Sequence, residues 1–236
     1  MVFVKCGAGN LNSKNASDIW SSPKITKHDN QQNKLLNTFS YKVFPLTTLW
    51  NEMGVIPPIE MTDPTSYARS PYKMDIVTFV SMFAITPQRM KILKGFVKFR
   101  TALSEVGLVD GFQWVDGSFT ENVELIEKRP PNDVDVVTFF KFSDGDDDNS
   151  VINRNPSIFV HESVKKEFLV DSYFEGLDAP GHYLVERTVY WYSMWAHKRD
   201  LSWKGFIQIP LNPQLDKAAM AILNAAMTGE ADHESH

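Results

Sequence analysis

The stretch QWVDGSFTENVELIEKRPPNDVDVVTFF, Gln113 to Phe140, sets a Gly-Ser pair straight after a short apolar run and then alternates Asp133 and Asp135 with valines. Aspartate is a poor strand former, and side chains two apart on a strand point the same way. Two carboxylates together on a half-buried face repel and raise each other's pKa unless a positive charge lies between them. The pattern therefore predicts a cation at the end of a strand pair. Glycine lets the backbone approach a phosphate closely. The amides and the hydroxyl after it, Ser118 first, can then hold phosphate oxygens, especially where a short helix begins. A third acid, Asp171 in FLVDSYF, falls in another predicted strand. Hard oxygen ligands of this kind suit Mg²⁺. Two such ions, roughly 3.5–4 Å apart, stabilise both the attacking and the leaving oxygen of an in-line displacement.

Beyond this stretch, GFQWV, DVDVVTFFKF, FLVDSYF and KGFIQIPL read as strands. Ser70-Pro71 and Thr86-Pro87 place proline at a first helical position, before YKMDIVTFVSMFA and QRMKILKGFVKFRTALSEVG. In the second of these, Ile92, Leu93, Phe96, Phe99, Leu103 and Val106 recur at helical spacing, and Gly107 suits the stop. SIFVHESVKKE and HYLVERTVYWYSMWAHKRD read as further helices, and DGDDDNSVINRNPS as a loop. Strands alternating with helices predict an α+β (α/β-like) domain, a mixed sheet of about four or five strands flanked by helices. The Asn-, Ser- and Lys-rich residues 1–49 read as a partly ordered extension, 50–212 as the domain, and 213–236 as a C-terminal helix with a polar tail. WNEMGVIPPIEMTDPTSYARSP, with four prolines, reads as a connector lying on the domain.

The 236 residues include 16 Phe and 6 Trp, enough for a sizeable core. A formal charge of −5 disfavours general affinity for the nucleic-acid backbone. The single cysteine, Cys6, rules out an internal disulfide and fits a reducing compartment. No run approaches a membrane span or a signal peptide, so a soluble cytoplasmic protein is expected.

Gly-Ser at one strand end, Asp-x-Asp on the next strand and a later strand aspartate resemble the nucleotidyltransferase fold of the DNA polymerase beta superfamily. The match looks closer to a group of small, largely uncharacterised prokaryotic proteins with that fold. It is carried by DGSFTEN, PNDVDVV, FAITPQRMKIL, FLVDSYF and WKGFIQI, and covers roughly residues 50–212. The resemblance implies Mg²⁺- or Mn²⁺-dependent transfer of a nucleoside monophosphate from a nucleoside triphosphate, with release of pyrophosphate. It implies Asp133, Asp135 and Asp171 as metal ligands, with Asp171 also activating the acceptor, and Gly117 and Ser118 as the phosphate-binding pair. Fourteen residues separate Ser118 from Asp133, more than in most of that superfamily. A protein hydroxyl is the preferred acceptor by analogy, on a partner toxin or a phage-defence target; an RNA end, a small molecule and a second nucleotide stay open. A non-catalytic module that binds nucleotide or a protein is the alternative, and a metal-dependent nuclease a third reading.

Other motifs have plainer readings. Asp144, Asp146 and Asp148 imitate a calcium loop, but Asn149 and Asn155 stand where Gly and Glu belong, so a solvated loop is expected. His161 reads as a packed or surface histidine. His197, Lys198, Arg199 and Lys204 read as helix-end charge, or, for Arg199 and Lys204, as arms reaching the triphosphate. Tyr190–Trp195 reads as core or as a base-stacking stripe, and Lys128 and Arg129 as surface or phosphate-touching cations.

Overall fold

A computed structural model describes residues 49–233; the expected N-terminal extension lies almost wholly outside them. β1 is Tyr72–Lys73, α1 Ile76–Phe83, α2 Pro87–Glu105, β2 Asp110–Asp116, α3 Val123–Ile126, β3 Val134–Lys141, α4 Asp148–Arg154, α5 His161–Phe168, β4 Val170–Gly176, α6 Gly181–Trp195, β5 Ile207–Pro210 and α7 Pro213–His233. Short 3₁₀ turns cover Ser118–Thr120 and Pro156–Phe159. The five strands form one mixed sheet in the order β1-β5-β2-β3-β4. β1 runs parallel to β5 and β3 to β4, while β2 is antiparallel to both β3 and β5. The chain is thus an α+β protein with a five-stranded mixed sheet, and seven α-helices lie among the described residues.

Period-two alternation sorts the side chains onto two faces. Val115, Val134, Val136, Phe140, Ile207 and Ile209 join the main core with α1, α2, α5 and α7. Trp114, Val137 and Phe139 pack instead against Trp191 and Trp195 of α6. The C-terminal helix α7 is built into the main core: Ala219 and Leu223 are fully buried. Asp216 of α7 accepts from the buried Arg100 at 2.6 Å, and Arg100 continues through Gln113 (2.6 Å) to Thr138 (3.0 Å). This polar chain satisfies every charge it buries.

Several local expectations are corrected. Ser70-Pro71 opens no helix; Tyr72 and Lys73 pair with β5, and α1 starts after Asp75, whose carboxylate accepts from Thr78 N at 2.8 Å. The local cap wins because β5 offers Tyr72 and Lys73 a ladder that no helix supplies. DGDDDNSVINRNPS is not all loop. Asp147 and Ser150 form a capping box that starts α4, and Asp146 pairs with Arg154 at its far end. The helix expected from Ser157 begins only at His161, because Pro156 starts a separate 3₁₀ turn. The long connection after Ser118 contains the short helix α3, whose N-cap is Asn122.

Candidate functional site

Strand register builds the site. Asp116 at the end of β2 pairs with Asp135 on β3, and Asp135 pairs with Asp171 on β4. Register partners share a face, so three carboxylates form a row across adjacent strands spaced roughly 4.8 Å apart. Asp133, immediately before β3, lines the same cleft as Asp135 and Asp171. That face is the one carrying Trp114, Val137, Phe139 and Tyr173, which α6 covers further along the sheet. At the level of the acids a cleft of about 670 Å³ remains, lined by Gly117, Ser118, Asp133, Asp135, Asp171 and a set of cations.

Gly117 takes φ +81°, and a Cβ there would lie 1.7 Å from Asp135 Oδ2. Only glycine fits, for both reasons. Phe119 then plugs the turn into the core, stacked on Phe83 at 5.6 Å. The fully buried Arg89 of α2 fastens the segment from Phe119 to Glu124. It donates to the carbonyls of Phe119 and Glu121, both at 2.6 Å, and grips the Glu124 carboxylate through two nitrogens at 2.6 and 2.8 Å. Ser118 faces the cleft at the start of this clamped segment.

Two lysines neutralise the acids from opposite sides. Lys204, almost fully buried, lies 3.1 Å from Asp116 and 2.8 Å from Glu121, and its ammonium reaches the Gly117 carbonyl at 3.4 Å. Burial pulls its pKa down, but the charges of Asp116 and Glu121 outweigh that and hold it above the usual lysine range. Lys165 of α5 bridges Asp133 at 2.8 Å and Asp171 at 3.2 Å. Its hydrogen bond to Asp133 leads the effects that keep it protonated. Asp135 in the middle has neither lysine as a direct ion-pair partner among the described residues. Burial, and then the charges of Asp171, Asp116 and Asp133, push its pKa up to about 7. Asp171 Oδ1 is buried and accepts no hydrogen bond; His161 Nδ1 stands 3.5 Å from it.

The structure therefore brings Gly117, Ser118, Asp133, Asp135, Asp171 and Lys204 into one cleft, with Lys198, Arg199 and Arg129 at its walls. Arg129 is engaged by Glu127 at 2.7 Å and Lys198 lies 3.4 Å from Glu121. Trp191 and Trp195 are core residues, Trp191 donating to Glu175 at 2.7 Å. Asp116, Glu121, Lys165, His161 and Arg89 do not stand out in the sequence as site residues. The one legible signal is for Asp116, the acid directly before Gly117.

Among the described residues, no three His, Cys, Asp or Glu groups stand as a ready-made metal cage; the Lys165 ammonium is interposed between Asp133 and Asp171. The donor chemistry nevertheless fits a hard divalent ion: all the acids offer oxygen, and Asp171 Oδ1 is an orphaned buried acceptor. Also among the described residues, no helix is long and apolar enough to cross a membrane.

An acidic row beside a glycine turn, at one end of a mixed sheet, defines an α+β protein with a polar cleft that combines clustered acids and cations. The chain belongs to the DUF6932 family, a family of unknown function, whose profile matches residues 48–210. That span holds all of these cleft residues. No curated protein and no solved structure matches the chain.

Proposed function

We propose that the protein is a metal-dependent nucleotidyltransferase that moves a nucleoside monophosphate from a nucleoside triphosphate to an acceptor hydroxyl. The observation that carries the reading is the register-locked row of Asp135 and Asp171, with Asp133 beside it, facing the same cleft as the Gly117-Ser118 turn. Asp133, Asp135 and Asp171 would hold Mg²⁺ or Mn²⁺. When bound, the metal supplies charge neutralisation and alignment for the attacking and leaving oxygens. Gly117 admits the phosphates to the backbone, and the amide and hydroxyl of Ser118 hold their oxygens. The acceptor oxygen bonds to the α-phosphorus, the bond from that phosphorus to the bridging oxygen breaks, and pyrophosphate leaves. The Asp171 carboxylate, with His161 Nδ1 3.5 Å from its Oδ1, takes the hydroxyl proton. Lys204 is already saturated by Asp116 and Glu121, which gives it the task of fixing the turn that meets the phosphates. The net charge of −5 favours a protein hydroxyl over an RNA end as acceptor, with a partner toxin or a defence target as the setting by analogy.

The second reading, a non-catalytic module for nucleotide or a protein partner, draws on one observation: Lys165 already compensates two of the acids. Incubation with Mg²⁺ or Mn²⁺ and each α-labelled nucleoside triphosphate, with and without host lysate, separates the two. Label on a protein or RNA band with wild type, absent with Asp133→Ala/Asp135→Ala, supports the transferase and identifies the acceptor class. No transfer and no pyrophosphate from a folded sample supports the module.

A further inference from the structure

Lys165 stands on α5 one turn after His161, so both side chains meet the end of β4. Its ammonium joins Asp133 Oδ2 on the approach to β3 and Asp171 Oδ2 on β4. A cation shared by carboxylates from two neighbouring parallel strands does the electrostatic work that a divalent ion would do there. Unlike Lys204, which is 5% exposed, Lys165 is 44% exposed at the cleft surface. Its unbranched four-carbon stem lets the ammonium swing without moving the helix.

We infer that Lys165 is an exchangeable counter-ion and a further substrate-binding residue: a divalent cation displaces it from Asp133 and Asp171, and the freed ammonium binds the phosphates of the nucleoside triphosphate in the same cleft. The inference rests on the nucleotidyltransferase reading and deepens it. A divalent ion arriving alone must strip the ammonium from two carboxylates and then repel it at short range. A triphosphate arriving with the ion gives the ammonium a new anionic partner. Metal and triphosphate therefore bind with positive coupling, and the coupling is reciprocal by linkage. The resident ammonium also lowers the cost of holding clustered acids together before substrate arrives.

The test is metal binding to the full chain. Free Mn²⁺ is followed by electron paramagnetic resonance with wild type, Lys165→Gln and Lys165→Arg; binding of a fluorescent non-hydrolysable triphosphate analogue with Mn²⁺ is measured in parallel. Lys165→Gln should bind Mn²⁺ alone roughly tenfold tighter than wild type and bind the analogue roughly tenfold more weakly, a change of the size usual for coupled sites. Lys165→Arg, which keeps the charge, should stay near wild type in both. Unchanged or weaker Mn²⁺ binding by Lys165→Gln, while wild type binds Mn²⁺ with the analogue, overturns the exchange and leaves the transferase reading standing. Absence of Mn²⁺ binding by every folded variant, with and without the analogue, overturns both.

Discussion

Asp116 and Asp135 are direct register partners across β2 and β3, on the face that opens to the cleft, and Lys204 pairs with the first and not with the second. Burial pushes the Asp116 carboxyl up even with Lys204 beside it, and Asp135 bears a burial penalty as well, with no ion-pair partner among the described residues. Its pKa is raised from 3.8 to about 7 by burial and by its acidic neighbours. A carboxyl whose folded pKa is raised contributes stability that is complete at low pH and lost as pH climbs through the folded value. In metal-free buffer, wild type should lose thermal stability between about pH 4 and about pH 7 more steeply than Asp135→Asn, and Asp135→Asn should be the more stable of the two above about pH 7. Equal slopes in paired melting curves would remove Asp135 as the source.

Gly117→Ala meets two obstacles at once, a positive φ and an Asp135 oxygen 1.7 Å from the new Cβ. The strained backbone alone costs on the order of 1–3 kcal/mol, and the collision moves either the turn or the carboxylate. Chemical denaturation should show the loss. On the proposed nucleotidyltransferase reading, affinity for a triphosphate analogue should fall as well, and retained affinity in the folded variant would count against a phosphate-binding role for this turn.

Lys204→Met leaves the buried Asp116 without its ion-pair partner, with the Thr120 hydroxyl at 3.2 Å as its remaining side-chain donor, and leaves Glu121 with only Lys198 at 3.4 Å. Removing one partner of a buried ion pair typically costs about 3–5 kcal/mol. The double variant Lys204→Met/Glu121→Gln should recover part of it, since one stranded charge is gone. A denaturant series on the three proteins checks this, and absence of any recovery would mean that Lys204 acts through packing alone.

Arg89→Lys keeps the charge and loses the fork that holds Glu124 while reaching two carbonyls. Lysine cannot serve four acceptors in that fixed plane. The expected outcome is a loss of roughly 2–4 kcal/mol, in the range for breaking a buried charged network, read as a lower denaturation midpoint. Faster amide exchange should be confined at first to residues 118–126.

Much of this architecture is legible in the order of the residues. Helix α2 announces itself through Thr86-Pro87 and its apolar spacing, and Thr86 does accept from Arg89 N as the cap. Val-Asp-Val alternation places β3, and the strand reading of FLVDSYF puts Asp171 on β4. These are short-range facts: periodicity and capping depend on residues within a turn or two of each other. The misreadings are also local in kind. At Ser70-Pro71 a helix-start signal competes with a strand partner more than 130 residues away in sequence, Ile207, and no local rule can see such a partner.

Residue order alone is enough to put Asp133 and Asp135 on one strand face, to close the preceding strand with a glycine turn, and to set both in an α+β sheet. Which charges meet is a matter of three-dimensional packing. The antiparallel register of β2 on β3 puts Asp116 opposite Asp135, although a loop of 17 residues between the strands leaves that register open in the sequence. The packing of α5 against β4 brings Lys165 onto Asp133 and Asp171, and the return of β5 beside β2 carries Lys204 to Asp116. Electrostatic interactions act through space, and between solvated charges salt screens them beyond about 10 Å. A chain that is silent about its long-range register is therefore silent about the cations that balance its acids.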